Sequence, residues 1–334
     1  MEDERKIEKR KKSQRGFGNC LEKSRKISFK TQLSKLKIIW EEKNFGPNMA
    51  IDEKHINGEF FSILSNRDTG KVAAIIRSVK GKWLKKCLYD LPRKIRWNVK
   101  SLSRDLSQTF ADVGNEIFMN AVHVADKFHI LKMGFEALQS VRIRYRQEIL
   151  AEERVRYEIF RCQEAERRNL CKKNQEKFVA KIFPKSPIYS NGDTQKQLLA
   201  RSRFLLYKFE SEWNSEQRKR AKILFRCFPD IEKSYKLMCH FRAFYAIKPQ
   251  HNIPKAREAL RVWFQRVGGV EISEIQNFAS SVFRHKEEIL SFFEKGDTNA
   301  LAESINSKIQ RFSVSNFGTR DSNFFFFRLK NLLC

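Results

Sequence analysis

Five short runs rich in β-branched and aromatic residues lie between Met49 and Ala125, and the chain beyond Asp126 shows no further strand signal. This one-sided distribution constrains the fold more than any other feature. The runs cover residues 49–52, 60–65, 71–79, 95–103 and 121–125, and the second and third flank Asn66-Arg67-Asp68-Thr69-Gly70, which has hairpin turn chemistry. In the fourth run Ile95, Trp97 and Val99 fall on one face of a strand. Residues 82–91 read as a short helix stopping before Pro92, and Leu106, Phe110, Val113 and Ile117 repeat at helical spacing. The predicted order β-β-β-α-β-α-β implies an α/β fold, a mixed sheet with helices packed against it.

From about residue 131 to 290 the chain reads as helix after helix. Residues 142–177 are dense in Arg, Lys and Glu, as in a long helix laced with solvent-facing charge. Residues 184–192 form a break, Asn214 and Gln217 have capping-box spacing, Pro229 and Pro254 punctuate two more helices, and a final helix is expected near Thr298. The expected organisation is a basic N-terminal arm, a sheet domain, a large α-helical segment and a final helix near Thr298.

The 334 residues carry 67 Lys plus Arg against 39 Asp plus Glu, a net charge of +28. Such a charge opposes compaction and points to a polyanionic partner, nucleic acid first and an anionic membrane surface second. No stretch approaches the ~18 apolar residues of a membrane span, and the polar start has no secretory signal character. Seven scattered Cys with no C-x-x-C pair argue against a disulfide framework and a zinc ribbon, and for a reducing cytoplasm. No phosphate-binding G-x-x-x-x-G-K-[ST] loop supports ATP-driven chemistry. Trp263 and Phe264 sit in an amphipathic stretch and read as core rather than as base-stacking platforms.

In so cationic a chain the informative residues are acids where strands end. Asp52 follows the apolar residues of the first strand, Asp105 ends the fourth and Asp126 closes the fifth. Strand ends are where open sheets present groups to ligands. Carboxylates gathered there repel one another unless a cation lies between them, a role suited to Mg²⁺. The alternatives are an ordinary turn residue for Asp52 and helix caps for Asp105 and Asp126. On the last helix Asn299, Glu303, Asn306 and Gln310 form a polar stripe opposite Leu301, Ile305, Ile309 and Phe312.

The segments Ile51-Asp52-Glu53, Asp105-Leu106-Ser107, Ala125-Asp126-Lys127-Phe128-His129 and Thr298-Asn299-Ala300 through Glu303 and Asn306 occur in that order. With Phe317-Gly318 and Phe327-Arg328-Leu329, they resemble the DDE transposases of the ISL-three group of bacterial insertion sequences, over roughly residues 49–330. The resemblance implies an RNase H-like catalytic fold interrupted by a large all-α insertion before the last catalytic helix: a basic arm or degenerate DNA-binding remnant over 1–48, the first part of the core over 49–130, the insertion over 131–290 and the end of the core over 291–334. It implies Asp52, Asp105 and Glu303 as catalytic acids and ligands of two Mg²⁺ or Mn²⁺ ions. Asp126 and His129 are expected as supporting groups, with Asp126 the substitute if Asp105 is not the second acid. Arg311, Arg320 and Arg328 are candidate phosphate contacts, with plain surface charge as the alternative.

The activity so implied is metal-dependent cleavage at transposon ends followed by strand transfer, in a bacterial cytoplasm at the nucleoid. The implied partners are double-stranded DNA, both ends and target, and further copies of the chain in the active complex, with no membrane. Relatives usually carry an N-terminal zinc-binding segment and a helix-turn-helix, whereas residues 1–44 hold one Cys, Cys20, and no clear helix-turn-helix. A separate end-recognition chain, divergence or truncation would each account for that. Ser304 stands where relatives tend to have Gly. The competing reading is a catalytically inactive or truncated DNA-binding remnant of such an element; a helical scaffold or membrane-surface protein is a third.

Overall fold

The structure, a computed structural model, describes residues 38–56, 58–248, 252–295, 300–316 and 322–333. The chain divides into two compact units, one formed by Met1–Asp126 with Thr298–Cys334 and the other by Lys127–Asp297.

The first unit is built on six strands: β1 (Ile38–Trp40), β2 (Asn48–Ile56), β3 (Glu59–Asn66), β4 (Val72–Ile76), β5 (Ser101–Arg104) and β6 (Val122–Ala125). Their order across the sheet is β1-β4-β3-β2-β5-β6. The first four are antiparallel to their neighbours, while β2, β5 and β6 run parallel. The β3–β4 turn closes as its residues predict: Gly70 adopts φ +67° and donates its N–H to the Asn66 carbonyl at 2.9 Å. Strand β1 was not foreseen. It lies inside the segment expected to be a basic arm, and its register pairs Ile38 with Ile76 at the edge of the sheet.

Helices α1 (Gly81–Tyr89), α2 (Arg93–Asn98) and α3 (Gln108–Ile117) connect the strands. Here one expectation is corrected. Residues 93–98 are helical, and the fourth expected strand begins only at Ser101. Pro92, fixed at φ −52°, starts the turn by accepting from the N–H groups of Ile95 and Arg96. The alternation of Ile95, Trp97 and Val99 misleads because Val99 alone is buried. Strand β5 shows no alternation at all, because both its faces are covered.

Each face of the sheet has its own core. On one, Met49, Ile51, Leu64 and Leu102 pack with Leu84 and Leu88 of α1 and Phe110, Val113 and Ile117 of α3. On the other, Ile56, Phe61, Ile63 and Ile75 pack with the chain's last two helices, α11 (Ala300–Ser315) and α12 (Ser322–Leu333). A pair of helices thus stands where a single final helix was expected. Ile305 and Ile309 of α11 and Phe325, Phe326 and Leu329 of α12 supply the contacts.

The second unit is helical, as its sequence predicts. Helix α4 (Lys127–Lys173) runs 47 residues, yet its buried side chains end at Ile149; the remainder carries its charge into solvent. It is followed by α5 (Gln195–Arg201), α6 (Ser215–Cys227), α7 (Pro229–Phe244), α8 (Ile253–Gly268), α9 (Ser273–Arg284) and α10 (Lys286–Lys295). Asn214 and Gln217 cap α6 reciprocally, each side chain accepting the other's backbone N–H, at 2.8 and 3.2 Å. Close packing of α4 depends on Gly134, where a Cβ would lie 2.6 Å from Met238 Sδ and 2.8 Å from Phe278 Cζ. Trp263 is core: it is buried, packs on Phe241 and donates Nε1–H to the Leu237 carbonyl at 3.0 Å. Among the described residues no helix is long and apolar enough to cross a membrane.

Candidate active site

The parallel part of the sheet sets the geometry. In register, Ile51 of β2 pairs with Arg104 of β5, and Arg104 pairs with Ala125 of β6. One step further along all three strands stand Asp52, Asp105 and Asp126. The Asp126 N–H donates to the Arg104 carbonyl at 2.8 Å, so the ladder is still closed at that end. Neighbouring strands lie about 4.8 Å apart, and residues in one row across a sheet share a face. The three acids therefore occupy one row of positions at the carboxyl ends of the parallel strands.

The face is fixed by alternation. Ile51 belongs to the core beneath α1 and α3, whereas Asp52, partnered by Ile63 on β3, faces the side covered by α11 and α12. Asp52 is half-buried and accepts the N–H of Glu53 on Oδ1 at 2.8 Å. Asp105 accepts the N–H of Ser107 on Oδ1 at 2.9 Å, an Asx turn that leads into α3. The residue at the cap position of that helix is Ser107, so Asp105 is not its N-cap.

Glu53 joins the acidic row electrostatically, a group the sequence reading passed over although it directly follows Asp52. Its carboxyl is pushed above the usual range by burial first, then by the negative charges of Asp105 and Asp52, with His55 opposing. A buried Arg104 was passed over as well. From the opposite side of β5 its Nη1 donates to the backbone carbonyls of Asp105 (2.8 Å) and Ser107 (3.4 Å), and its Nε to His123 Nδ1 at 3.3 Å. An Arg beside an acid at a strand end was the available signal. Arg104 ties down the turn that presents Asp105.

The remaining expected residues lie as follows. Glu303 is the fourth residue of α11, whose Ile305 and Ile309 pack on the sheet face that bears Asp52. Asn299 and Arg320 lie outside the described residues, as do the side chains of Glu303 and Asn306. Arg311 is exposed on α11, with Nε directed to its own helix at Ser307 O. Arg328 of α12 binds Asn316 Oδ1 and stacks over Phe312 and Phe324. His129 is in the first turn of α4, within the helical unit, its ring edge-on to Phe128.

Among the described residues no group of three His, Cys, Asp or Glu side chains is arranged to hold a metal ion. The donor chemistry nonetheless suits a hard divalent cation. Mg²⁺ binds through one or two carboxylates, with water and substrate phosphate completing its shell. The like-charge pressure on Glu53 from Asp105 and Asp52 is of the kind a cation relieves.

Four antiparallel strands continued by two parallel ones, with helices on both faces and acids at the ends of the parallel strands, define an RNase H-like α/β fold. A family model for DDE transposases of the ISL-three group, described as transposase, matches residues 49–329. The chain belongs to that transposase family. Its members are DNA-cleaving and strand-transferring enzymes that work with divalent metal ions, which makes DNA the partner of this basic chain. No curated protein matches it.

Proposed function

We propose that the protein is the transposase of a bacterial insertion sequence, which cuts DNA at the element's ends and joins them to target DNA through Asp52, Asp105 and Glu303. The observation that carries this reading is the register row of Asp52, Asp105 and Asp126 on the sheet face against which the helix of Glu303 packs. Asp52 and Asp105, with Glu303, would hold two Mg²⁺ or Mn²⁺ ions. When bound, such ions neutralise charge on the scissile phosphate and make water or a 3′-hydroxyl a better nucleophile.

The protein's own groups do the positioning. Arg104 fixes the Asp105–Ser107 turn, and sheet pairing fixes Asp52 beside it. In the first reaction an oxygen of water bonds to phosphorus, the P–O3′ bond breaks and the departing O3′ takes a proton. In the second, that O3′ bonds to a target phosphorus and the target's own 3′ oxygen leaves. Both are in-line displacements, and a strand held by basic residues keeps its phosphate in place through them.

Asp126 and His129 are supporting groups in this reading, and Arg311, Arg320 and Arg328 contact phosphates around the helix of Glu303. In this reading the sheet unit, up to Asp126 and again from Thr298, is the catalytic core, Lys127–Asp297 is the insertion, and the basic segment ahead of β1 is an arm that contacts DNA. The active complex contains more than one copy of the chain.

Cleavage of end DNA in Mg²⁺ tests the assignment. Asp52→Asn and Glu303→Gln are expected to lower the rate at least a thousandfold. Asp105→Asn should match them, while Asp126→Asn loses far less. If Asp126→Asn abolishes cleavage and Asp105→Asn does not, the second acid is Asp126. Salt-sensitive DNA binding without cleavage by the parent protein would favour an inactive remnant.

A further inference from the structure

The opposite end of the same three parallel strands carries a feature that the catalytic reading leaves unused. Between Lys80 and Lys100 the sequence holds eight Lys or Arg and one acid, Asp90. Helix α2 gathers part of this charge around a surface cavity of about 740 Å³, lined by Arg93, Lys94, Trp97, Asn98, Lys100 and Asn120 among others. Among the described residues no acidic side chain lines it. Lys100 immediately precedes β5 and Asn120 lies just before β6, so the cavity sits at the amino ends of the strands whose far ends bear the acids. Lys100 and Asp105 are five residues apart, ~17 Å along an extended strand.

The cavity combines charge with flat faces. The Arg93 guanidinium lies over the Trp97 indole, 3.7 Å from its centroid, while the indole stays 37% exposed. Arg96 covers Tyr89 in the same way at 5.0 Å, and Tyr89 is 47% exposed. Asn120 donates from Nδ2 to the Trp97 carbonyl at 3.1 Å, which ties the helix to the start of β6. A large aromatic left half in water beneath a guanidinium adds nothing to the core, whereas base stacking and phosphate pairing each use one of these groups.

We infer that this cavity is a second DNA site, one that binds an unpaired stretch of strand. Arg93, Lys94 and Lys100 pair with successive phosphates, and Trp97 stacks on a base. The exposed carboxamides of Asn98 and Asn120 are placed to hydrogen-bond base edges. A lipid surface fits less well, because basic and amide side chains outnumber the apolar ones in the lining and Ile95 is half-buried. The site is separate from the acids and does not depend on their role.

The test uses the full chain in EDTA, so that binding is read without cleavage. Affinity for a fluorescein-labelled oligothymidylate is followed by anisotropy across a salt series, with Trp97→Ala, Trp97→Phe, and Arg93→Ala/Lys94→Ala/Lys100→Ala. A control variant removes three exposed cations of α4, Arg154→Ala/Arg156→Ala/Arg161→Ala. The triple variant at the cavity should lower the slope of log affinity against log salt by about two, at ~0.7 per phosphate lost from a single strand. Trp97→Ala should weaken binding roughly tenfold, as expected for one lost base stack, and Trp97→Phe should restore most of it. An unchanged denaturation midpoint separates these effects from misfolding. The inference is overturned if Trp97→Ala leaves affinity unchanged, if the α4 control lowers the slope as much, or if the cavity variants lose binding to phosphatidylserine vesicles but not to DNA.

Discussion

Asp193 has no exposure to solvent and lies between two arginines, so its replacement by Asn tests how the helical unit is held together. Its Oδ1 pairs with Arg201 Nη1 at the end of α5, and its Oδ2 with Arg220 Nε of α6 at 2.9 Å. Asn191 Nδ2 adds a third bond at 2.8 Å. Removing one partner of a buried ion pair costs about 3–5 kcal/mol. Asn keeps one acceptor oxygen, and Arg201 is 55% exposed and can turn to water, so the expected cost is about 2–3 kcal/mol at pH 7. Burial raises the Asp193 pKa, but the hydrogen bonds and charges of Arg220 and Arg201 outweigh it and hold the group below its ordinary 3.8. With the folded value depressed, the unfolded chain takes up the proton first as pH falls. The stabilisation is therefore complete well above 3.8 and is lost as pH drops through the lower folded value. Urea unfolding followed by helix ellipticity should show the parent–variant gap at pH 7 and a progressively smaller gap as pH falls below 3.8. A gap under 1 kcal/mol at pH 7, or one that widens as pH falls, would refute the reasoning.

Three further outcomes are expected. Arg104→Ala should cost about 3 kcal/mol by stripping two carbonyls of their charged donor in a buried setting, and should slow DNA cleavage even where the protein remains folded; full activity would mean the turn before α3 stands without it. Gly114→Ala should destabilise the sheet unit by about 1–2 kcal/mol despite the better helix former, because the new Cβ would sit 2.5 Å from His123 Nε2 and 2.9 Å from Leu102 Cδ2; a more stable variant would disprove this. Glu53→Gln should leave the protein at least as stable as the parent at pH 7. Its raised folded pKa makes the native state bind the proton more tightly, so the parent gains relative to the variant only as pH falls, and a parent favoured at neutral pH would contradict the sign.

Much of the sheet was legible because strands with unusual residue runs announce themselves locally. The β3–β4 hairpin was read from Asn66 to Gly70, and β2 and β6 from their apolar residues. Helix α2 was not legible: Ile95, Trp97 and Val99 alternate like a strand, and only packing reveals that the first two are not in the core. Strand β1 was missed because three residues carry too little pattern to stand out of a basic segment, and its place at the edge comes from pairing with β4. For the site, Asp52, Asp105 and Asp126 could be picked out as acids at strand ends. Glu53 and Arg104 stand next to those acids in sequence, but only the structure gives them a part, through burial and the turn that Arg104 ties down.

By itself the sequence determined that strands come first and helices after, the net charge of +28 that points to a polyanionic partner, and the resemblance that named the family. These are properties of composition and of neighbours along the chain. Tertiary structure alone decided that β2 lies beside β5 and β5 beside β6, which sets Asp52, Asp105 and Asp126 in one row although 74 residues separate the first from the last. It also decided which face Asp52 takes, through the antiparallel pairing with Ile63 and the packing of Ile305 and Ile309 on that side. Strand pairing and face are settled by hydrogen bonds and burial between distant segments, and no local pattern carries that information.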